Sequence, residues 1–264
     1  MQLQSNDRHE VPQAVRRAAG GADVRPVWRN EAGGVTYVVE AAERRFIKWA
    51  PRGSGLDLGA EAARLDWAQA FTTAPRVLAS GDDPMGTWIL TSAIAGESAV
   101  SPSWRSRPEA AVTAIGQGLR ALHDALPVRR CPFDWSAATR LADARRRASR
   151  GLVEPAKWHS EHRHLSLENA LEHLARIPPV DQLVVCHGDA CAPNTLLSAD
   201  GSCSGHVDLG DLGVADRWAD LSVATWSTVW NYGPGWEDQL LATYGVAPDD
   251  HRIGYYRLLW DFGP

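Results

Sequence analysis

Cysteine is scarce, with four in 264 residues, too few to staple a chain this long with a disulfide framework. Cys186 and Cys191 lie close together, but their spacing matches no paired zinc knuckle and their neighbours are apolar, so they read as structural thiols. Lysine is scarcer still: only Lys48 and Lys157 occur. There is no run of about 18 apolar residues, which excludes a membrane-spanning helix. Residues 1–10 are polar and mixed in charge, without the apolar stretch of a secretory signal, and the expected location is cytoplasmic. An excess of positive charge is also missing. At a net charge of −5, nucleic acid is not an expected partner.

What is present suits a folded protein with one large domain or two small lobes, at 44% hydrophobic and 22% charged residues. The charge is unevenly spread. From Asp189 to the end there are eleven Asp and Glu against three Arg and no Lys, a balance of −8, which leaves about +3 for the rest. That half is either a solvated acidic face or a field that attracts cations.

Short β-branched and aromatic runs at 24–28, 36–39 and 46–49, punctuated by Asn30, Gly33 and Gly34, predict strands. Residues 58–71 carry apolar side chains at helical spacing, and strands are expected again at 75–79 and 88–91. Residues 92–98 read as a connector. Beyond it the texture turns helical at 109–126, 135–149 and 165–175, with a short β-rich island at 183–186, 196–197 and 205–207. Helical patches then alternate with Gly/Pro turns to the end. The pattern is α+β: a small β-rich lobe at 1–94 and a larger, mainly helical lobe at 95–264.

The densest chemistry lies in Val185-Cys186-His187-Gly188-Asp189 and in His206-Val207-Asp208-Leu209-Gly210. Each ends a short apolar strand on a carboxylate. Asn194 follows Asp189 by five residues, close enough for one tight loop to hold both. Two carboxylates and an amide oxygen make a hard-oxygen set suited to Mg²⁺ and a phosphate chain. Lys48 sits inside the apolar run Phe46-Ile47-Lys48-Trp49, where a buried ammonium needs a countercharge that Glu61 on the next helix can supply. Otherwise the lysine reaches water from a strand edge. The pairs His187/Asp189 and His206/Asp208 also suit a dinuclear metal-dependent hydrolase, a rival that would work without ATP.

This ordered set of motifs resembles the aminoglycoside 3'-phosphotransferases, which share the two-lobed protein-kinase-like fold. Further segments carry the likeness: Leu122-His123, Cys131-Pro132-Phe133-Asp134, Gly213-Val214-Ala215-Asp216-Arg217 with Asp220, and Tyr255-Tyr256-Arg257-Leu258-Leu259. The resemblance implies ATP-dependent phosphorylation of a hydroxyl on a small molecule, foremost the 3'-hydroxyl of an aminoglycoside antibiotic. A different hydroxylated natural product or metabolite is the alternative acceptor. It makes Asp189 the catalytic residue, Asn194 and Asp208 the Mg²⁺ ligands, and Lys48 with Glu61 the pair that aims at the ATP phosphates. By the same likeness Ser92 and Ile94 would meet the adenine, and residues 30–37 would cover the phosphates.

The acceptor side departs from the family pattern. In Trp158-His159-Ser160-Glu161-His162-Arg163-His164, Glu161 is the main acid where relatives carry several, and Asp261 matches one acid of the chain end. Asp211 stands where relatives often have Arg. Trp218, Trp226, Trp230, Trp236 and Trp260 make this half rich in tryptophan, either as core or as a wall for a sugar ring.

Overall fold

The structure is a computed structural model that describes residues 11–30 and 32–263. The polar N-terminal decapeptide, read above for the absence of a secretory signal, lies outside the described residues, as do Glu31 and Pro264. The chain divides into two compact units. One runs to Ala95 and takes in His206–Gly210; the other holds Gly96–Gly205 and Asp211–Pro264. The segment carrying Asp208 belongs with the first unit, apart from the sequence that flanks it.

In the first unit a short helix α1 (Gln13–Ala18) precedes strands β1 (Asp23–Arg29), β2 (Val35–Glu40) and β3 (Arg45–Pro51). Helix α2 (Leu58–Ala68) follows, then β4 (Val77–Asp83) and β5 (Gly86–Ser92). The strands form one antiparallel sheet in the order β1-β2-β3-β5-β4. Ile47 pairs with Tyr37 on one side and Leu90 on the other, and this row packs against Val15 and Ala19 of the α1 region. The Ile47, Leu90 and Val15 side chains, once fully buried, each contribute about 1.5–3 kcal/mol. Sequence periodicity missed α1, whose six residues are too few to show a helical period. Because successive side chains alternate between faces, burying Ile47 in this row turns Lys48 to the opposite face.

Helix α2 begins at Asp57, whose side chain accepts from the Ala60 amide at 2.9 Å. Its buried residues are Leu58, Glu61, Leu65 and Ala68, the 3-4-3 spacing of a single stripe. An acid is thus placed in an apolar stripe by helical geometry alone.

The second unit opens with β6 (Glu97–Ser98) and helices α3 (Pro102–Arg105), α4 (Pro108–Ala125), α5 (Ala137–Ser149) and α6 (Leu167–Leu174). Strands β7 (Leu183–Cys186), β8 (Thr195–Leu197), β9 (Cys203–His206) and β10 (Gly213–Asp216) come next. Helices α7 (Trp218–Tyr232), α8 (Glu237–Tyr244) and α9 (Asp250–Asp261) close the chain. Ser136 and Ser166 cap α5 and α6, which sharpens the ends expected from periodicity. β7 pairs with β10, a strand that was not anticipated because four residues ending in an acid give no clear alternation. Helix α7 is buried at every residue from Trp218 to Thr228. A helix enclosed on all sides is a core element, and its hydroxyls are partly satisfied internally: Thr225 donates to the Ser222 carbonyl and Thr228 to that of Thr225.

Candidate active site

Lys48 lies between two carboxylates in the first unit. Its Nζ donates to Glu61 Oε1 at 2.5 Å and to Asp208 Oδ1 at 2.6 Å. The lysine side chain is one-quarter exposed, Glu61 is buried and Asp208 is half exposed. Burial alone would lower the ammonium pKa. The charges of Asp208 and Glu61 outweigh it, and Lys48 is held above its ordinary value and so stays a cation. Two carboxylates share one ammonium, which leaves the cluster one negative charge in excess. Asp208 has φ 65°, the sole non-glycine positive φ among the described residues. Asp tolerates this left-handed conformation better than most residues, and such outliers gather at functional sites.

The loop expected to cover the phosphates is a tight turn. The Asn30 side chain accepts from the Gly34 amide at 2.7 Å, and the Gly33 amide donates to the Asn30 carbonyl. Gly33 has φ +86°, in the left-handed region that favours glycine, so the turn calls for glycine at that position. Of the two residues expected to meet the adenine, Ser92 donates its amide to the Arg76 carbonyl and accepts the Arg76 amide on its hydroxyl. Ile94 follows β5 outside any strand.

In the second unit β7 leads through His187 and Gly188 to Asp189. Asn194, in a 3-10 turn entered through Pro193, donates from Nδ2 to both the carbonyl and Oδ2 of Asp189, each at 3.0 Å. Two acceptors facing Nδ2 fix the amide orientation and turn Oδ1 away. Asn194 Oδ1 and the Asp208 carboxylate are hard oxygens and fit Mg²⁺ in donor type.

The loop is tied down from below. Asp220 on α7 accepts from the His187 and Gly188 amides at 2.6 and 3.0 Å and from His123 Nε2 at 2.9 Å; the other His123 nitrogen bonds the Tyr244 hydroxyl. Burial alone would raise the Asp220 pKa, but the His123 hydrogen bond, with the charges and amides around it, holds it below the usual carboxylate range. Sequence reasoning noted Asp220 only as part of a similar stretch. An acid inside the otherwise apolar run Trp218-Ala219-Asp220-Leu221 was the available signal. His187 is fully buried, and its Nδ1 accepts from the Asp189 amide. That position suits support of the loop, not the open metal ligation a hydrolase needs. His123, Cys186 and Asp220 also lie within metal-binding distance of one another. Both His123 nitrogens and both Asp220 oxygens are already engaged there, and burial pushes the Cys186 thiol well up.

The two expected acceptor-side acids fall in one neighbourhood. Asp261, at the end of α9, accepts from the His159 amide and from His162 Nδ1, the latter at 2.6 Å. Glu161 Oε1 accepts from Trp226 Nε1 at 3.3 Å and lies 3.5 Å from the Arg257 guanidinium. Arg257 and the two histidines are partners that sequence reasoning did not assign.

These features define a class, the phosphotransferase enzyme family, whose sequence pattern matches residues 14–256; the chain belongs to it. Among its relatives, the aminoglycoside 3'-phosphotransferase of Streptomyces fradiae is 36% identical over 223 residues, covering 81% of this chain and 82% of that one. The crystal structure of a type VIII aminoglycoside-3'-phosphotransferase superposes with a TM-score of 0.82 at 32% identity, covering 95% and 97% of the two chains. The aminoglycoside phosphotransferase APH(3'')-Id of Streptomyces rimosus, solved with ADP and streptomycin, gives 0.76 at 30% identity, covering 94% and 95%. The α+β protein-kinase-like fold expected from the motifs is the fold of this chain. The hydrolase alternative falls with it. No helix among the described residues is long and apolar enough to cross a membrane.

Proposed function

We propose that the protein transfers the γ-phosphoryl group of ATP to a hydroxyl of an aminoglycoside, foremost the 3'-hydroxyl, and so inactivates the antibiotic in the cytoplasm. The observation that carries this is the Lys48 ammonium shared by Glu61 and Asp208. A cation fixed by one buried acid and one half-exposed acid is suited to gripping a polyphosphate, while the excess negative charge calls for a further cation.

In this reading the first unit handles the nucleotide and the second the acceptor. Glu61 fixes the lysine, Lys48 grips phosphate oxygens, and Ile94, with Ser92 beside it, meets the adenine. Asp189 accepts the hydrogen bond of the attacking hydroxyl and aims its oxygen. Phosphoryl transfer has a loose transition state, so this orientation contributes more than strong base action. Asn194 and Asp208 would hold Mg²⁺, which neutralises charge between the transferred and leaving phosphates. Glu161 and Asp261 lie on the acceptor side. The identities of 30–36% to named aminoglycoside 3'-phosphotransferases support the acceptor class.

The test is ATP consumption with Mg²⁺ across kanamycin, neomycin and a relative lacking the 3'-hydroxyl, with products weighed by mass spectrometry. The expected result is a phosphorylated product from the first two and none from the third. Product from the third moves the reaction to another hydroxyl, and nucleotide binding without product from any sends the search to other acceptors.

A further inference from the structure

Helix α6 buries Ala170 and Leu174, one turn apart, and carries a second apolar row that is not fully covered. Leu167 and Leu171, half-buried, form that row and run on into the exposed Ala175. Together with Ala148 near the end of α5 they line an open groove of about 670 Å³. The next row of α6 brings Glu168 and Glu172 to the groove, and α5 brings Arg145; all three are exposed. The groove thus has an apolar floor between an acidic wall and a basic one. Both helices lead out into further apolar surface. Leu152, three residues beyond Ser149, is 55% exposed, and Ile177, two beyond Ala175, is 40% exposed.

The wall charges are left over by the chain itself. Arg146, next to Arg145, pairs with Asp143. No ion pair of Arg145, Glu168 or Glu172 occurs among the described residues. Water satisfies exposed charges, but it does not satisfy the leucines between them, and apolar surface rimmed by charge marks an association face. A two-fold axis brings such a face against itself with the walls exchanged, acidic over basic on both sides.

We propose that the α5–α6 groove is an interface between two copies of this chain. Leu167 and Leu171 of each copy seat in the groove of the other, and Arg145 of each faces Glu168 and Glu172 of the other. A peptide of one charge sign would suit one wall and be repelled by its opposite, whereas a second copy serves both. The polar lining residues are all exposed, so none is fixed to orient a small ligand. Helix α6 spans 8 residues, and an apolar face this short gives a weak, concentration-dependent pairing.

The experiment is sedimentation equilibrium of the full chain at low salt, up to about 200 μM, where a two-copy species with a Kd of about 10–100 μM is expected. Arg145→Glu, and in a separate chain Glu168→Arg with Glu172→Arg, should each weaken self-association about ten-fold by setting like charges face to face. An equal mixture of the two altered chains should restore pairing, since each then meets opposite charge across both halves of the interface. All three positions are exposed, so the altered chains should keep the thermal midpoint of the wild type. A wild-type chain that stays a single copy throughout overturns the proposal, whatever the variants do. So does a two-copy species that neither reversal weakens, or a mixture that stays apart. Sedimentation reads mass and not turnover, so the result stands whether or not the chain transfers phosphate.

Discussion

The charged clusters of the two units are built on opposite rules. Around Lys48 two carboxylates share a single ammonium, so negative charge is in excess and one acid, Asp208, is half exposed. Around Trp226 each acid already has a partner in place, Glu161 beside Arg257 and Asp261 hydrogen-bonded to His162. An unbalanced cluster stores a demand for a counter-ion, as a nucleotide–metal site must. Acids that already hold a partner make a weaker demand of that kind. The same residue types therefore do different work according to what is packed beside them.

The comparison breaks most sharply at the proposed catalytic positions. Asp189→Ala should lower kcat by about a thousand-fold or more while ATP affinity, measured by titration, stays near that of the wild type. Lys48→Ala should cost about a hundred-fold and act through the nucleotide, visible as weakened ATP binding. If the two variants shift ATP affinity alike, the division of labour between the units is wrong.

Gly188→Ala tests the loop that presents Asp189. Its φ is +89°, and a Cβ would sit 2.3 Å from the Asp211 carbonyl oxygen, a backbone atom that cannot step aside. A loss of roughly 2–4 kcal/mol is expected, read as a lower thermal midpoint. Wild-type stability would mean that the loop is freer than its hydrogen bonds imply.

The smallest effect concerns pH. Asp220 has its pKa depressed in the folded state. Its stabilising contribution is therefore complete above the unfolded carboxylate value of about 3.9 and is lost only as pH falls below it, through the folded value. Amide protection at His187 and Gly188, followed by hydrogen exchange, should hold through mildly acidic conditions and fail only below about pH 4. Earlier loss would show that another group carries the anchor.

The candidate residues were legible because they come in short, ordered runs. His187-Gly188-Asp189 with Asn194 fits into one loop, and Lys48 with Glu61 spans one strand–helix step of 13 residues. Helix α2 was legible for a related reason: its stripe repeats at a period the sequence displays. Helix α1 and strand β10 were not, being too short for any period to register.

The sequence by itself determined the ordered set of candidate residues, the mixed α+β plan and the placement of Glu61 on the helix that follows Lys48. These rest on local spacing, which the chain holds in any context. Only the tertiary structure decided their partners. Lys48 meets Asp208 across 160 residues, His162 meets Asp261 across 99 and His123 meets Asp220 across 97. An acid at the chain end reads as a free ligand for a cation until folding brings a histidine to it. Such pairings depend on how distant elements pack, and local spacing carries no record of that.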